Sequence, residues 1–200
     1  MSEVLQFSAA ISASSNILRD VLDPACNLAI WERKSHRPFE DLLSGDVRDV
    51  RFRAAPLQLR ERQHDELASA GYADVAERDE LIADVSVLAD HYCAILGLAE
   101  VEVRLEVVTT NSCRKWHADY VKARLITTYV GSGTQWLCQQ DAARMKQGDE
   151  PRNINSMSPG NVGIFKGKLA TDTPAIHRSP PIDGTGEKRL LLVLNPPEED

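Results

Sequence analysis

The period of the apolar positions changes once along the chain, near residue 100. Over residues 74–96, Leu81, Val85, Leu88, Tyr92 and Ile95 recur every three or four positions, the spacing of one helix face, and Gly97 supplies the stop. From residue 101, Val101, Val103, Leu105 and Val107 alternate with Glu102, Arg104 and Glu106, which predicts a strand with one buried face. Upstream, a weaker amphipathic helix spans residues 57–70 and is closed by Gly71. Ser14 or Ser15 caps a short helix that stops before Asp23-Pro24, and residues 27–31 form a candidate strand. Pro38 and Gly45 bracket another short helix carrying Phe39, Leu42 and Leu43. Downstream, strands are predicted at residues 121–130, 134–138, 161–166, 175–178 and 189–195, with turns at Gly131-Ser132-Gly133 and Pro159-Gly160. Residues 141–158 are the longest polar connection and are expected to be a mobile loop.

Short strands at this spacing, without helices between them, suggest an antiparallel sandwich or jelly roll. The expected fold class is α+β. Residues 1–98 are read as mainly helical and residues 99–200 as a cupin-like jelly-roll core packed with those N-terminal helices. Two hundred residues, 42% of them hydrophobic, suit a single domain with a full core. A formal net charge of −7 argues against nucleic-acid partners, which need a basic footprint. Arg48, Arg51, Arg53, Arg60 and Arg62 do gather, but Asp46, Asp49, Glu61, Asp65 and Glu66 interleave with them, the pattern of a paired, solvated surface. Cys26, Cys93, Cys113 and Cys138 are scattered, the start lacks the pattern of a secretory signal, and no apolar run approaches the length of a membrane span. A cytoplasmic location with free thiols is the expectation, with a small-molecule or protein substrate as partner.

The chemistry concentrates in His117-Ala118-Asp119, followed by His177 and Arg189. Residues two apart on an extended segment point to the same side, so His117 and Asp119 can share one ion. His177 then arrives from another predicted strand. Two imidazoles and one carboxylate are a ligand set for non-haem Fe(II) that leaves other coordination positions open. Arg189 begins the strand after His177, where a cation can anchor an acidic cosubstrate. Arg124, in an otherwise apolar strand, is either a second anchor or an outward-facing side chain. Trp116, Tyr120 and Trp136 line a pocket or belong to the core, and His91 reads as a packed or surface histidine. A zinc site on Cys113 and His117 lacks a second ligand pair. The GSGT turn at 131–134 lacks the lysine of a phosphate-binding loop.

The order His117-x-Asp119, His177, Arg189 resembles the iron- and 2-oxoglutarate-dependent dioxygenases, whose double-stranded β-helix carries such a triad. The segment SPGNVGIFKG from Ser158 to Gly167 is similar to the turn and strand those folds place before the distal histidine. More closely, WHADYVKARLITTYVGSGTQWL with IHRSPP and RLLLVLN resembles an uncharacterised bacterial family known only as a domain of unknown function. That likeness covers most of the chain, and the dioxygenase likeness covers its C-terminal half. The resemblance implies Fe(II) held by His117, Asp119 and His177. It implies 2-oxoglutarate chelating the iron with its far carboxylate on Arg189, and O2 used to hydroxylate a substrate. Many such enzymes carry a serine or threonine two residues after the arginine; here that position is Leu191, and Thr128 or Tyr129 stands as the replacement hydroxyl. Two other readings stay open: a non-catalytic divalent-metal-binding or sensing protein on the same scaffold, and a jelly-roll interaction module without metal.

Overall fold

Alternating side chains from both halves of the chain build two sheets in the computed structural model, which describes residues 8–34 and 39–197. The strands are β1 (Ser8–Ser12), β2 (Cys26–Trp31), β3 (Val50–Ala54), β4 (Val101–Val108), β5 (Ala123–Val130), β6 (Gln135–Trp136), β7 (Asn155–Ser156), β8 (Val162–Lys166), β9 (His177–Arg178) and β10 (Arg189–Asn195). The large sheet runs β1-β2-β8-β5-β10-β4-β3 and the small one β7-β6-β9. All neighbours pair antiparallel except β1 with β2. The helices are α1 (Pro56–Ser69), α2 (Ala76–Leu96) and α3 (Gln139–Lys146), with 3-10 turns at Ser15–Leu22 and Glu40–Leu43.

The helix predictions over 57–70 and 74–96 correspond to α1 and α2. Pro56 sits in the first turn of α1, where its missing N–H costs nothing. Glu77 and Asp79 in the first turn of α2 complement its dipole, and Gly97 caps it in the left-handed region. The Phe39, Leu42 and Leu43 cluster falls on the 3-10 turn, and Pro38 lies outside the described residues. Two expectations need amendment. The N-terminal half is not only a helical layer, because β1, β2 and β3 are part of the large sheet. Val50, Phe52 and Ala54 are buried while Arg51 and Arg53 are exposed, so two of the arginines of what reads as a charged surface run are the outer face of a strand. The expected loop over 141–158 contains most of α3 and all of β7. It is organised by buried Asp141, whose carboxylate accepts from the N–H groups of Arg152 at 2.7 Å and Asn153 at 3.3 Å.

Period two gives the large sheet two different faces. On one, Ala29, Leu125, Ile164, Leu190, Leu192 and Leu194 join Leu59, Leu81, Val85, Leu88 and Tyr92 of the helices in the main core. On the other, Leu28, Ile30, Ile126, Phe165, Leu191 and Val193 pack with Trp136 of the small sheet and with Met157 and Ala175. No helix of the described residues is long and apolar enough to cross a membrane.

Tyr129 belongs to the helix face. Its hydroxyl donates to Asp84 Oδ2 on α2 at 2.8 Å, and its ring stands edge-on to Phe39 at 5.1 Å. Burial, together with the Asp84 charge, pushes the phenol far above its ordinary range. Asp84 also takes both arms of Arg33, at 2.6 and 3.1 Å, and Arg33 Nε donates to Gly160 O at 2.6 Å. Asp84→Ala removes the anion from a guanidinium and a phenol at once. The expected loss is about 3 kcal/mol of unfolding free energy, measured by urea titration, with Tyr129→Phe losing far less.

Candidate metal centre

An isolated antiparallel bridge brings the two histidines together. His117 N–H donates to His177 O at 3.0 Å and His177 N–H donates to His117 O at 2.9 Å. The rings lie 4.7 Å apart between centroids, and Phe165 backs the His177 ring at 4.7 Å. Asp119, two residues beyond His117, completes the group. His177 Nε2 is 3.2 Å from Asp119 Oδ2, and His117 Nε2 is 3.8 Å from Oδ1. One ligand atom from each residue can be chosen so that all lie within 4.8 Å of one another, the only such cluster of metal-ligating side chains among the described residues. Ligand atoms around a divalent ion at about 2.1 Å stand roughly 3 Å apart, so the cluster already approximates that spacing.

The donor chemistry tests whether a cation fits. His117 Nδ1 is 2.8 Å from Lys115 O, and His177 Nδ1 is 3.2 Å from Ala175 O. A carbonyl oxygen only accepts, so each Nδ1 carries a proton, and a ring held this way presents a bare lone pair at Nε2 in its neutral form. Burial of His117 lowers its pKa and keeps that ring neutral. Burial raises the Asp119 pKa, and the Arg124 guanidinium donating to Oδ1 opposes it by favouring the anion. Asp119 is therefore an anion, and its buried Oδ2 has no hydrogen-bond partner among the described residues. The two Nε2 atoms and an unpartnered carboxylate oxygen converge. A divalent cation satisfies all three at once, and the Nδ1–carbonyl bonds orient the rings for it.

Arg124 faces the site. Its Nη1 donates to Asp119 Oδ1 at 2.5 Å and its Nε to Asn195 Oδ1 at 2.7 Å. Arg189 is wholly buried, on the same face of β10 as Leu191 and Val193. It donates to Ser132 O at 2.6 Å, to Ser179 Oγ at 3.0 Å and to Thr128 Oγ1 at 3.4 Å, all neutral acceptors. No carboxylate of the described residues lies within ion-pair distance of it, and burial depresses its pKa. Gly131 makes room for this side chain, because a Cβ there would stand 2.7 Å from Lys188 O and 2.8 Å from Arg189 Cγ. Thr128 is on the site face beside Arg189. Tyr129, its neighbour, points to the opposite face and is corrected out of the candidate cosubstrate residues, since adjacent strand residues cannot share a side. A cleft of about 160 Å³ opens over the triad, floored by Ile126, Leu191 and Val193 and bounded by Arg104, Glu106 and Cys113.

Trp136 is core, Trp116 lies beneath Arg178 at 4.2 Å, Tyr120 is exposed, and His91 packs edge-on to Trp31 and is no part of the ligand cluster. Sequence patterns gave no hint of Ser132 or Ser179 as partners of Arg189, nor of Gly167. A Cβ on Gly167 would meet Val121 O at 2.2 Å and Asp119 O at 2.9 Å, where the backbone of the ligand loop is tied to this turn by Lys168 N–H donating to Asp119 O at 2.9 Å. Gly167→Ala is expected to cost about 1–3 kcal/mol of stability and to weaken metal binding, read together from urea unfolding and metal titration of one preparation.

Comparison with known proteins agrees with this geometry at the level of fold. Residues 12–195 match a family described as "Protein of unknown function (DUF1826)". No curated protein matches the sequence significantly. Among solved structures, the dioxygenase for auxin oxidation 1 from Arabidopsis thaliana, in its binary complex with 2-oxoglutarate, is similar with a TM-score of 0.50 and 11% identity, over 95% of this chain and 92% of that one. A prolyl-4-hydroxylase from Pseudomonas putida is similar with a TM-score of 0.46 and 12% identity, over 90% and 96%. At such identity the first likeness establishes a shared fold and nothing finer.

Proposed function

We propose that this chain, which belongs to the DUF1826 family, is an Fe(II)-dependent oxygenase that uses 2-oxoglutarate and O2 to hydroxylate a substrate. The observation that carries the reading is the convergence of His117 Nε2, His177 Nε2 and the unpartnered Asp119 Oδ2 on one face of a cleft. The dioxygenase fold supports it. Fe(II) held by these residues would supply the activation of O2 that no side chain can perform.

The protein's own part is orientation and charge. The Nδ1–carbonyl bonds hold both rings in the tautomer that ligates. Ile126, Leu191 and Val193 give the cleft an apolar floor, beside which charged contacts are less screened than in bulk water. Arg189 supplies a permanent buried cation for the far carboxylate of 2-oxoglutarate, and Thr128 contributes the hydroxyl that position 191 lacks. Three of the guanidinium's N–H groups are engaged; of its five donors, two remain for a carboxylate.

A second reading, a divalent-metal-binding or sensing protein without catalysis, draws on Leu191, which puts a hydrocarbon side chain on the cleft floor. Anaerobic loading separates the two. Fe(II) followed by 2-oxoglutarate is expected to produce a visible metal-to-ligand charge-transfer band that is absent in His117→Ala. Metal uptake without the band sinks the oxygenase reading and leaves the metal-binding one.

A further inference from the structure

Of the three candidate ligands, Asp119 stands on the least regular backbone, the connection between the His117–His177 bridge and β5. A carboxylate so placed can turn about its side-chain bonds and offer a metal one oxygen or two. Here one oxygen is already taken, because Arg124 Nη1 donates to Oδ1 at 2.5 Å. Arg124 is itself held by a row of side chains crossing four adjacent strands, β5, β10, β4 and β3. Its Nε donates to Asn195 Oδ1 at 2.7 Å, and Asn195 Nδ2 donates to Glu102 Oε1 at 2.9 Å. Glu102 Oε2 accepts from Arg51 Nε at 3.0 Å and Nη2 at 2.7 Å. Glu102, Asn195 and Asp119 are 4%, 5% and 8% exposed, so water has little access to the acceptors of this row, although Arg51 at its outer end is exposed.

We propose that Arg124 is a positioning residue, and that the row Glu102–Asn195–Arg124 fixes Asp119 as a metal ligand through Oδ2 alone. The proposal rests on the reading of the triad as a metal site. Its chemistry is directional. The Asn195 amide has one workable orientation, since reversing it would set its NH2 against a guanidinium and its oxygen against a carboxylate. That orientation aims Arg124 Nε, and the planar guanidinium then carries Nη1 to Asp119 Oδ1 at a fixed angle, which an ammonium cannot do. A charge-assisted bond of this kind is strong enough to withhold Oδ1 from a metal. Asn195 thereby sets the ligation mode although it touches no ligand and carries no charge.

Co(II) serves as the probe, because its visible d–d absorption reports coordination number. Asn195→Ala leaves every charge and every ligand in place. Its Co(II) dissociation constant is expected to rise by about 10- to 100-fold, with a changed absorption envelope as Oδ1 is released to the metal. Arg124→Lys, which keeps the charge and loses the fork, is expected to do the same. It carries the test should Asn195→Ala fail to fold by urea titration of the metal-free protein. Folded variants that bind Co(II) within twofold of the wild type overturn the proposal. Weaker binding with an unchanged spectrum overturns it too, since the ligation mode would then not depend on the row. A wild-type chain that takes up no Co(II) or Fe(II) overturns the metal reading itself and this proposal with it, an outcome distinct from either of the others.

Discussion

Asp119→Asn is expected to leave the metal-free protein as stable as the wild type or more so, while abolishing the stabilisation that Fe(II) or Co(II) confers. Asp119 Oδ2 is buried without a hydrogen-bond partner among the described residues and stands 3.2 Å from His177 Nε2, where lone pair opposes lone pair when the ring is neutral and protonated at Nδ1. An amide relieves that contact. Its NH2 can donate to His177 Nε2, and its oxygen can still accept from Arg124 Nη1. Satisfying a buried acceptor is worth about 1–3 kcal/mol, set against a weaker bond to Arg124, which keeps an acceptor but loses a counter-ion. The metal-dependent change has the opposite sign. A site filled at a hundred times its dissociation constant stabilises the folded state by about 2.7 kcal/mol, and an amide that presents its NH2 to the site contributes none of it. Thermal unfolding with and without Co(II) reads both numbers. If Asp119→Asn instead loses more than about 2 kcal/mol without metal, the three side chains are a structural hydrogen-bonded cluster and the metal assignment is wrong.

The lone-pair arrangement was out of reach of sequence reasoning, although its members were not. His117, Asp119 and His177 stand out by type and by period-two spacing. Which nitrogen of each ring is free depends on carbonyls of Lys115 and Ala175, backbone groups that no side-chain pattern reports. The same limit explains the treatment of the first half. Its long helices announce themselves through apolar spacing, whereas β3 hides inside a charge run because its outward residues are arginines. Arg124 was legible as an anomaly in an apolar strand, and strand alternation tells Thr128 from Tyr129 once one neighbour is placed. Asn195 and Glu102 were not legible, because their importance comes from strand register, which pairs them across β4 and β10, and Ser179 was not because it meets Arg189 from outside the strands.

Arg189→Met tests the cosubstrate half of the function independently of the metal half, and it is expected to cost binding without costing stability. Arg189 is the largest fully buried side chain of the described residues, and it sits among neutral acceptors. Glu187 is near enough to favour its charge, but the Glu187 carboxylate is engaged by Ser132, accepting from N–H at 2.5 Å and from Oγ at 3.1 Å. A buried cation without an anion is a net liability to a fold, and hydrophobic replacement of buried ionic groups is often neutral or stabilising by about 1–4 kcal/mol. Methionine fills the stem's volume beside Gly131, and the hydroxyls of Ser179 and Thr128 can turn to other partners. The guanidinium's value lies with a ligand: truncating one partner of a buried charge pair costs about 2–5 kcal/mol, so 2-oxoglutarate should bind at least about 30-fold more weakly to the Fe(II)-loaded variant. Metal affinity should not move, because Arg189 bonds to none of the three ligands. Anaerobic titration of the charge-transfer band, alongside urea unfolding, gives both readouts. A stable variant that keeps wild-type affinity for 2-oxoglutarate removes Arg189 from the site. A variant that unfolds outright makes the buried guanidinium a structural group, held for its bonds to Ser132, Ser179 and Thr128 rather than for a carboxylate to come.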